Sequence, residues 1–107
     1  MHELYPRELE AYMDKASNPP LLIDVREPWE YDIVHLPNSK LMPMAQLPTQ
    51  LDELNQDAEL VIICHHGIRS RAVALYLEQQ GFKKVINLKG GIDAWAKEVD
   101  HSMPTYR

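Results

Sequence analysis

Two short apolar runs, LLIDV at 21–25 and ELVIIC at 59–64, constrain this chain most. Neither alternates apolar with polar residues, as a strand with one wet face would. Continuous apolar strands are buried on both faces, which calls for a parallel sheet covered by helices above and below. The segments between them agree. PRELEAYMDKA at 6–16 places Leu9, Tyr12, Met13 and Ala16 at helical spacing, and Pro6 suits the first turn of a helix. WEYDI at 29–33 fits a short helix. Pro37, Pro43 and Pro48 confine the next stretch to loop and at most a very short strand. Leu47, Leu51 and Leu54 predict a helix over about 49–55. RSRAVALYLEQQG at 69–81 is the clearest helix, with Gly81 placed to end it. VINL at 85–88 is a further strand, Gly90-Gly91 a turn, and IDAWAKEV at 92–99 a last helix with Trp95 in the core. Trp29 and Tyr31 are expected to pack partly buried. Strands alternating with helices define an α/β domain. Its 107 residues suit a single domain over 1–107, with 101–107 expected as a loose tail.

The formal charge is −5, from 11 Lys and Arg against 16 Asp and Glu. That balance argues against nucleic acid as a partner, which needs a basic footprint. No stretch approaches the ~20 apolar residues of a membrane span, so no membrane partner is expected. The opening MHELYPRELE carries charge and a proline where a secretory signal needs an apolar run, so the cytoplasm is the expected compartment. A single cysteine excludes an internal disulfide and a cysteine-rich metal centre. His65 and His66 are adjacent and lack a second ligand pair at metal-binding spacing, so no metal is expected.

That cysteine, Cys64, ends the second apolar run and begins CHHGIRS, 64–70. Alone it reads as a small buried hydrophobe. Its setting favours chemistry. Ligands in parallel α/β sheets gather beyond the carboxyl ends of strands. The loop that follows is short, so its successive N–H groups can converge on one point, and the start of the next helix adds unpaired donors. Both favour thiolate over thiol. Gly67 can adopt a left-handed turn or let another group approach the backbone. His65, His66, Arg69 and Arg71 concentrate positive or titratable groups within an acidic chain, as an anion site would. Arg69 can close the loop or hold an anion in a planar fork. A cysteine phosphatase loop places five residues between its cysteine and arginine. Here there are four, with Ser70 at the arginine position and Arg71 one place beyond it. The smaller ring suits a smaller species, such as a terminal sulfur carried on the cysteine.

CHHGIRS resembles the active-site loop of the rhodanese family of sulfurtransferases. LIDVREPWEY at 22–31, IVHLPNSKLMPM at 33–44 and GFKKVINLKGGIDAW at 81–95 are similar to three further segments of that family, in the same order. Val34 stands where the family has glycine, and Asn38-Ser39 where it has Gly-Ala. The resemblance implies a central parallel sheet of about five strands with helices on both faces. It implies transfer of sulfane sulfur from a donor such as thiosulfate to a thiophilic acceptor such as cyanide, a small thiol or a protein thiol. Cys64 would be the nucleophile and carry a covalent persulfide, with no cofactor. His65, His66, Gly67, Ile68, Arg69 and Ser70 would form the cradle. Asp24 and Arg26 would brace this end of the sheet, His35 would fix the adjoining loop, Arg71 would add positive charge, and Gly91 would permit the turn into the last helix. A binding module that keeps the fold without catalysis is the alternative; a cysteine phosphatase or arsenate reductase fails the residue count.

Overall fold

The structure, a computed structural model, describes residues 1–107. The strands are β1 (His2–Leu4), β2 (Leu21–Asp24), β3 (Ser39–Leu41), β4 (Glu59–Ile63) and β5 (Lys84–Leu88). The helices are α1 (Pro6–Lys15), α2 (Pro28–Ile33), α3 (Ile68–Gln79) and α4 (Gly91–Glu98). All five strands are parallel and lie in the order β1-β5-β4-β2-β3. The two longest apolar runs thus become the interior strands β2 and β4, joined in register from Leu21 opposite Leu60 to Asp24 opposite Ile63.

Side chains alternate along β4 and supply both cores. Leu60, Ile62 and Cys64 face a cluster with Val73, Ala74 and Leu77 of α3, joined by Ile23, Val25 and Met42. Val61 and Ile63 face the opposite layer, where Leu9 of α1 and Ile92 and Trp95 of α4 pack. The sheet is therefore covered on both faces, as the unbroken apolar runs require.

One local expectation is corrected and one strand is added. The helix expected near 49–55 is a pair of single 3₁₀ turns, Leu47–Thr49 and Leu51–Glu53. Leucines three and four apart fit either form, and here Gln50 breaks the run between the two turns (φ −114°, ψ 7°). The edge strand β1 has no sequence signal. His2, Glu3 and Leu4 are ordered by pairing with Ile86, Asn87 and Leu88 of β5, not by any pattern of their own.

No helix is long and apolar enough to cross a membrane.

Candidate active site

The carboxyl ends of β2 and β4 lie side by side, so the turns that follow them meet. Cys64 is the first residue beyond β4 and is 1 % exposed. Two backbone donors converge on its sulfur: Gly67 N–H at 3.0 Å and Ser70 N–H at 3.3 Å. The Cys64 thiol reaches the Ser70 Oγ at 3.3 Å. The loop is the short curled cradle that the sequence suggests.

Two glycines give it that shape. Gly67 has φ +89°, the left-handed region, and a Cβ there would stand 2.8 Å from the Gly90 nitrogen. The backbone that approaches Gly67 is therefore that of the β5–α4 turn. Gly91 has φ +66°, and a Cβ would lie 2.4 Å from the His65 oxygen and 2.5 Å from the Cys64 oxygen. The start of α4 is pressed against the cysteine loop at that point. Ile92 N–H donates to the Cys64 carbonyl at 2.9 Å, and Asp93 N–H to the His65 carbonyl at 3.1 Å. With its carbonyls held by α4, the loop turns its N–H groups toward sulfur.

Asp24 and Arg26 form a buried ion pair, both 0 % exposed. Every N–H of the guanidinium is used: Nε and Nη2 donate to Asp24, Nη2 to the Val34 carbonyl, and Nη1 to the Glu30 carbonyl and the Tyr106 hydroxyl. Asp24 also accepts the Arg26 main-chain N–H at 3.1 Å. Val34, in place of glycine, has extended backbone (φ −163°) that any residue adopts. Asn38 takes the left-handed conformation (φ 65°) that asparagine tolerates.

Arg69 does not point its fork at the sulfur. Its two Nη atoms donate to the two oxygens of Glu30, at 2.8 and 2.7 Å. Arg69 holds the Glu30 carboxyl down to about 2, helped by the Glu27 main-chain N–H and the Tyr106 hydroxyl against the opposing effect of burial. The pairing in turn raises Arg69 above its ordinary range. The anion that compensates this arginine is thus built into α2.

The tail expected to be loose reaches back into the site. Tyr106 donates to Glu30 Oε1 at 2.8 Å, accepts from Arg26, and stacks on His65 with ring centroids 3.9 Å apart. Burial pushes its phenol up to about 12. Aromatic stacking and two charged partners outweigh the entropy of ordering the end of the chain. Trp29 stands edge-on to Tyr106 but is 58 % exposed, more than a partly buried packing role requires. His65 lies buried beneath Tyr106, and burial, then His66, lowers its affinity for a proton.

The remaining loop residues face outward. His66 is exposed with Nδ1 3.9 Å from Asp93, and Ile68 is 78 % exposed at the first turn of α3. Arg71 turns to Glu3 of β1 at 3.5 Å. His35 hydrogen-bonds the Tyr31 carbonyl at 2.9 Å and stacks on its ring, so its partner lies on α2 and not on the Cys64 loop. The cavity of about 600 Å³ lined by Tyr12, Asn18, Asp57 and Lys84 lies at the amino end of the sheet, opposite the end that carries Cys64.

The model of the rhodanese-like domain matches residues 5–98. The chain belongs to the rhodanese-like domain family. A solved rhodanese-like domain protein from Staphylococcus aureus superposes over 100 % of both chains with a TM-score of 0.84 and 31 % identity. A sulfurtransferase of Allochromatium vinosum is 40 % identical over 84 residues, 78 % of this chain and 76 % of that protein. The rhodanese-like/PpiC domain-containing protein 12, chloroplastic, of Arabidopsis thaliana is 43 % identical over 100 residues. Those residues are 90 % of this chain, and the chain spans only 32 % of that relative's length.

Within this rhodanese-like fold, sequence reasoning missed Glu30, Tyr106, Asn87 and Glu3. Glu30 alone left a local trace: Glu27-Pro28-x-Glu30 has helix-start spacing, and Glu30 accepts the Glu27 N–H. Asn87 is buried at the end of β5, where it contacts Ser70, Gly67 and Glu3.

Proposed function

We propose that this rhodanese-like chain is a sulfurtransferase that moves sulfane sulfur from thiosulfate, or a similar donor, to cyanide or a thiol through a persulfide on Cys64. The observation that carries this reading is the pair of main-chain N–H groups converging on the sulfur of the only cysteine. Donors aimed at one point stabilise charge there without reorganisation.

In the first half-reaction the Cys64 thiolate attacks the outer sulfur of thiosulfate. A new S–S bond forms, the S–S bond of the donor breaks, and sulfite leaves with its electron pair. In the second, cyanide or a thiolate attacks the outer sulfur and the Cys64 thiolate departs. A protein thiol is a suitable acceptor class as well. The chain has no second cysteine to expel the sulfur as an internal disulfide, so release depends on the acceptor. A reducing compartment, the cytoplasm in this reading, suits a nucleophile that returns to the thiol after each cycle. Arg69 serves shape: its fork to Glu30 ties the loop to α2.

Intact mass after thiosulfate treatment tests the reading. The expected result is a gain of one sulfur atom that cyanide removes and that Cys64→Ser never shows. Turnover without that adduct would overturn it. Aryl phosphates should not be hydrolysed, because the loop is one residue shorter than a phosphatase cradle.

A further inference from the structure

Beneath Cys64 runs a chain of hydrogen bonds whose direction can be read. Asn87 donates through Nδ2 to the Glu3 carboxylate at 2.9 Å and to the Gly67 carbonyl at 3.2 Å. Both partners only accept, so both amide hydrogens are committed and the Asn87 carbonyl faces Ser70. The reverse orientation would set the amide oxygen against two acceptors. A carbonyl cannot donate, so the Ser70 hydroxyl donates to Asn87 Oδ1. Its lone pairs are then left for Cys64, whose thiol donates to Ser70 Oγ at 3.3 Å.

We propose that Asn87, oriented by Glu3, is a positioning residue that holds the Ser70 hydroxyl as an acceptor toward Cys64, so that this hydroxyl favours the thiol while the loop N–H groups favour the thiolate. The inference rests on Cys64 being the reacting thiol. Loss of its proton to water leaves a thiolate facing the Ser70 lone pairs. The hydroxyl relieves this only by turning to the sulfur, which strips the Asn87 carbonyl of a donor at a site with no exposure. A buried acceptor without a partner is costly. Ionisation is therefore coupled to a rotation that Asn87 opposes. Once the persulfide forms, Sγ carries neither proton nor charge, and the hydroxyl returns to Asn87.

Other charged groups around Cys64 are the Asp24–Arg26 pair at the end of β2, Arg69 with Glu30 from α3 and α2, His65 and His66 in the loop, Asp93 from α4, and Glu3 of β1 with Arg71 and Lys89 beside it. Substituting Ser70 or Asn87 alters none of their charges, and the Ser70→Ala background separates the relay from the bond of Asn87 to the Gly67 carbonyl.

The test is ultraviolet thiolate absorbance against pH, with Cys64→Ser as the blank. It needs no sulfur transfer, so it can fail while the persulfide adduct forms, and the adduct can fail while it succeeds. Ser70→Ala should move the midpoint to lower pH by about half a unit, because the thiol loses its acceptor; Asn87→Ala should move it lower by about one unit, the size of one hydrogen bond to a charged sulfur. In a Ser70→Ala background the Asn87→Ala shift should vanish. Glu3→Gln, which keeps a carbonyl acceptor and removes the charge, should leave the midpoint in place. A midpoint that rises or stays fixed in Ser70→Ala overturns the proposal, and that variant decides the matter even where Asn87→Ala fails to fold. So does an Asn87→Ala shift that persists without Ser70, or a Glu3→Gln shift as large as that of Asn87→Ala.

Discussion

The turns that follow β2 and β4 leave neighbouring strands at the same end of the sheet, yet they use polar groups in opposite ways. The β2 turn is closed. Arg26 spends every donor on Asp24, two carbonyls and Tyr106, all within the protein. The β4 turn is open in the chemical sense. Its N–H groups point at one sulfur, which in the proposed cycle changes its charge and its covalent partner. The difference teaches that a buried charge at a strand end is not evidence of a reactive site. The mutually satisfied pair supports the frame. The group whose donors outnumber its fixed needs is the one suited to chemistry.

The sharpest test of this contrast exchanges the two kinds of damage. Cys64→Ser should abolish sulfur transfer, by more than about a thousandfold, while leaving thermal unfolding nearly unchanged; oxygen of similar volume fills the site but carries no persulfide. Arg26→Leu should do the reverse in kind. Leaving Asp24 buried without its partner should cost about 3–5 kcal/mol of stability, measured by urea unfolding. If Arg26→Leu proves stable and merely inactive, the two turns do not divide the work as described.

Acid should act on the bond that links the turns. Glu30 titrates at about 2 in the folded protein and at its ordinary 4.5 when unfolded. Above 4.5 the full benefit is present. As the pH falls from there toward 2, the unfolded chain takes up the proton first, and stability declines by up to about 3 kcal/mol. Urea midpoints between those pH values check this, and Glu30→Gln should flatten that part of the profile. Arg69→Lys should then reduce kcat/KM for thiosulfate about tenfold, because one ammonium cannot reproduce the two-pronged contact with Glu30; about 1.4 kcal/mol is involved. Added salt should not restore it if the role is shape. Tyr106→Phe is the smallest change. It removes a hydroxyl shared by Arg26 and Glu30 while keeping the ring on His65, and should cost about 1 kcal/mol in the same urea assay.

The layered fold was legible because burial on both faces writes itself into consecutive residues. ELVIIC and LLIDV needed no partner to be recognised as interior strands. The position of Cys64 was legible for the same reason: a strand end and a short glycine loop are local. The supporting network was not. Arg69 and Glu30 lie 39 positions apart, Tyr106 and Glu30 lie 76 apart, and Asn87 and Glu3 lie 84 apart. No periodicity joins such pairs; the crossovers of the sheet bring them together. The cluster of cations at 65–71 was misleading on its own, because three acids from other elements, Glu30, Asp93 and Glu3, face His66, Arg69 and Arg71. The tail misled for a simpler cause: one tyrosine near a terminus gives no sign of the ring and ion pair that receive it.

The contact at Gly91 sets an order in time. A ribosome makes Cys64 well before it makes the residues that clasp the Cys64 and His65 carbonyls. A nascent chain halted after α3 would carry the cysteine but not the frame that turns the loop inward. Emergence of the last helix is thus the moment at which the loop around Cys64 gains the backbone partners that fix its shape, so the order of synthesis leaves that loop unframed until the end.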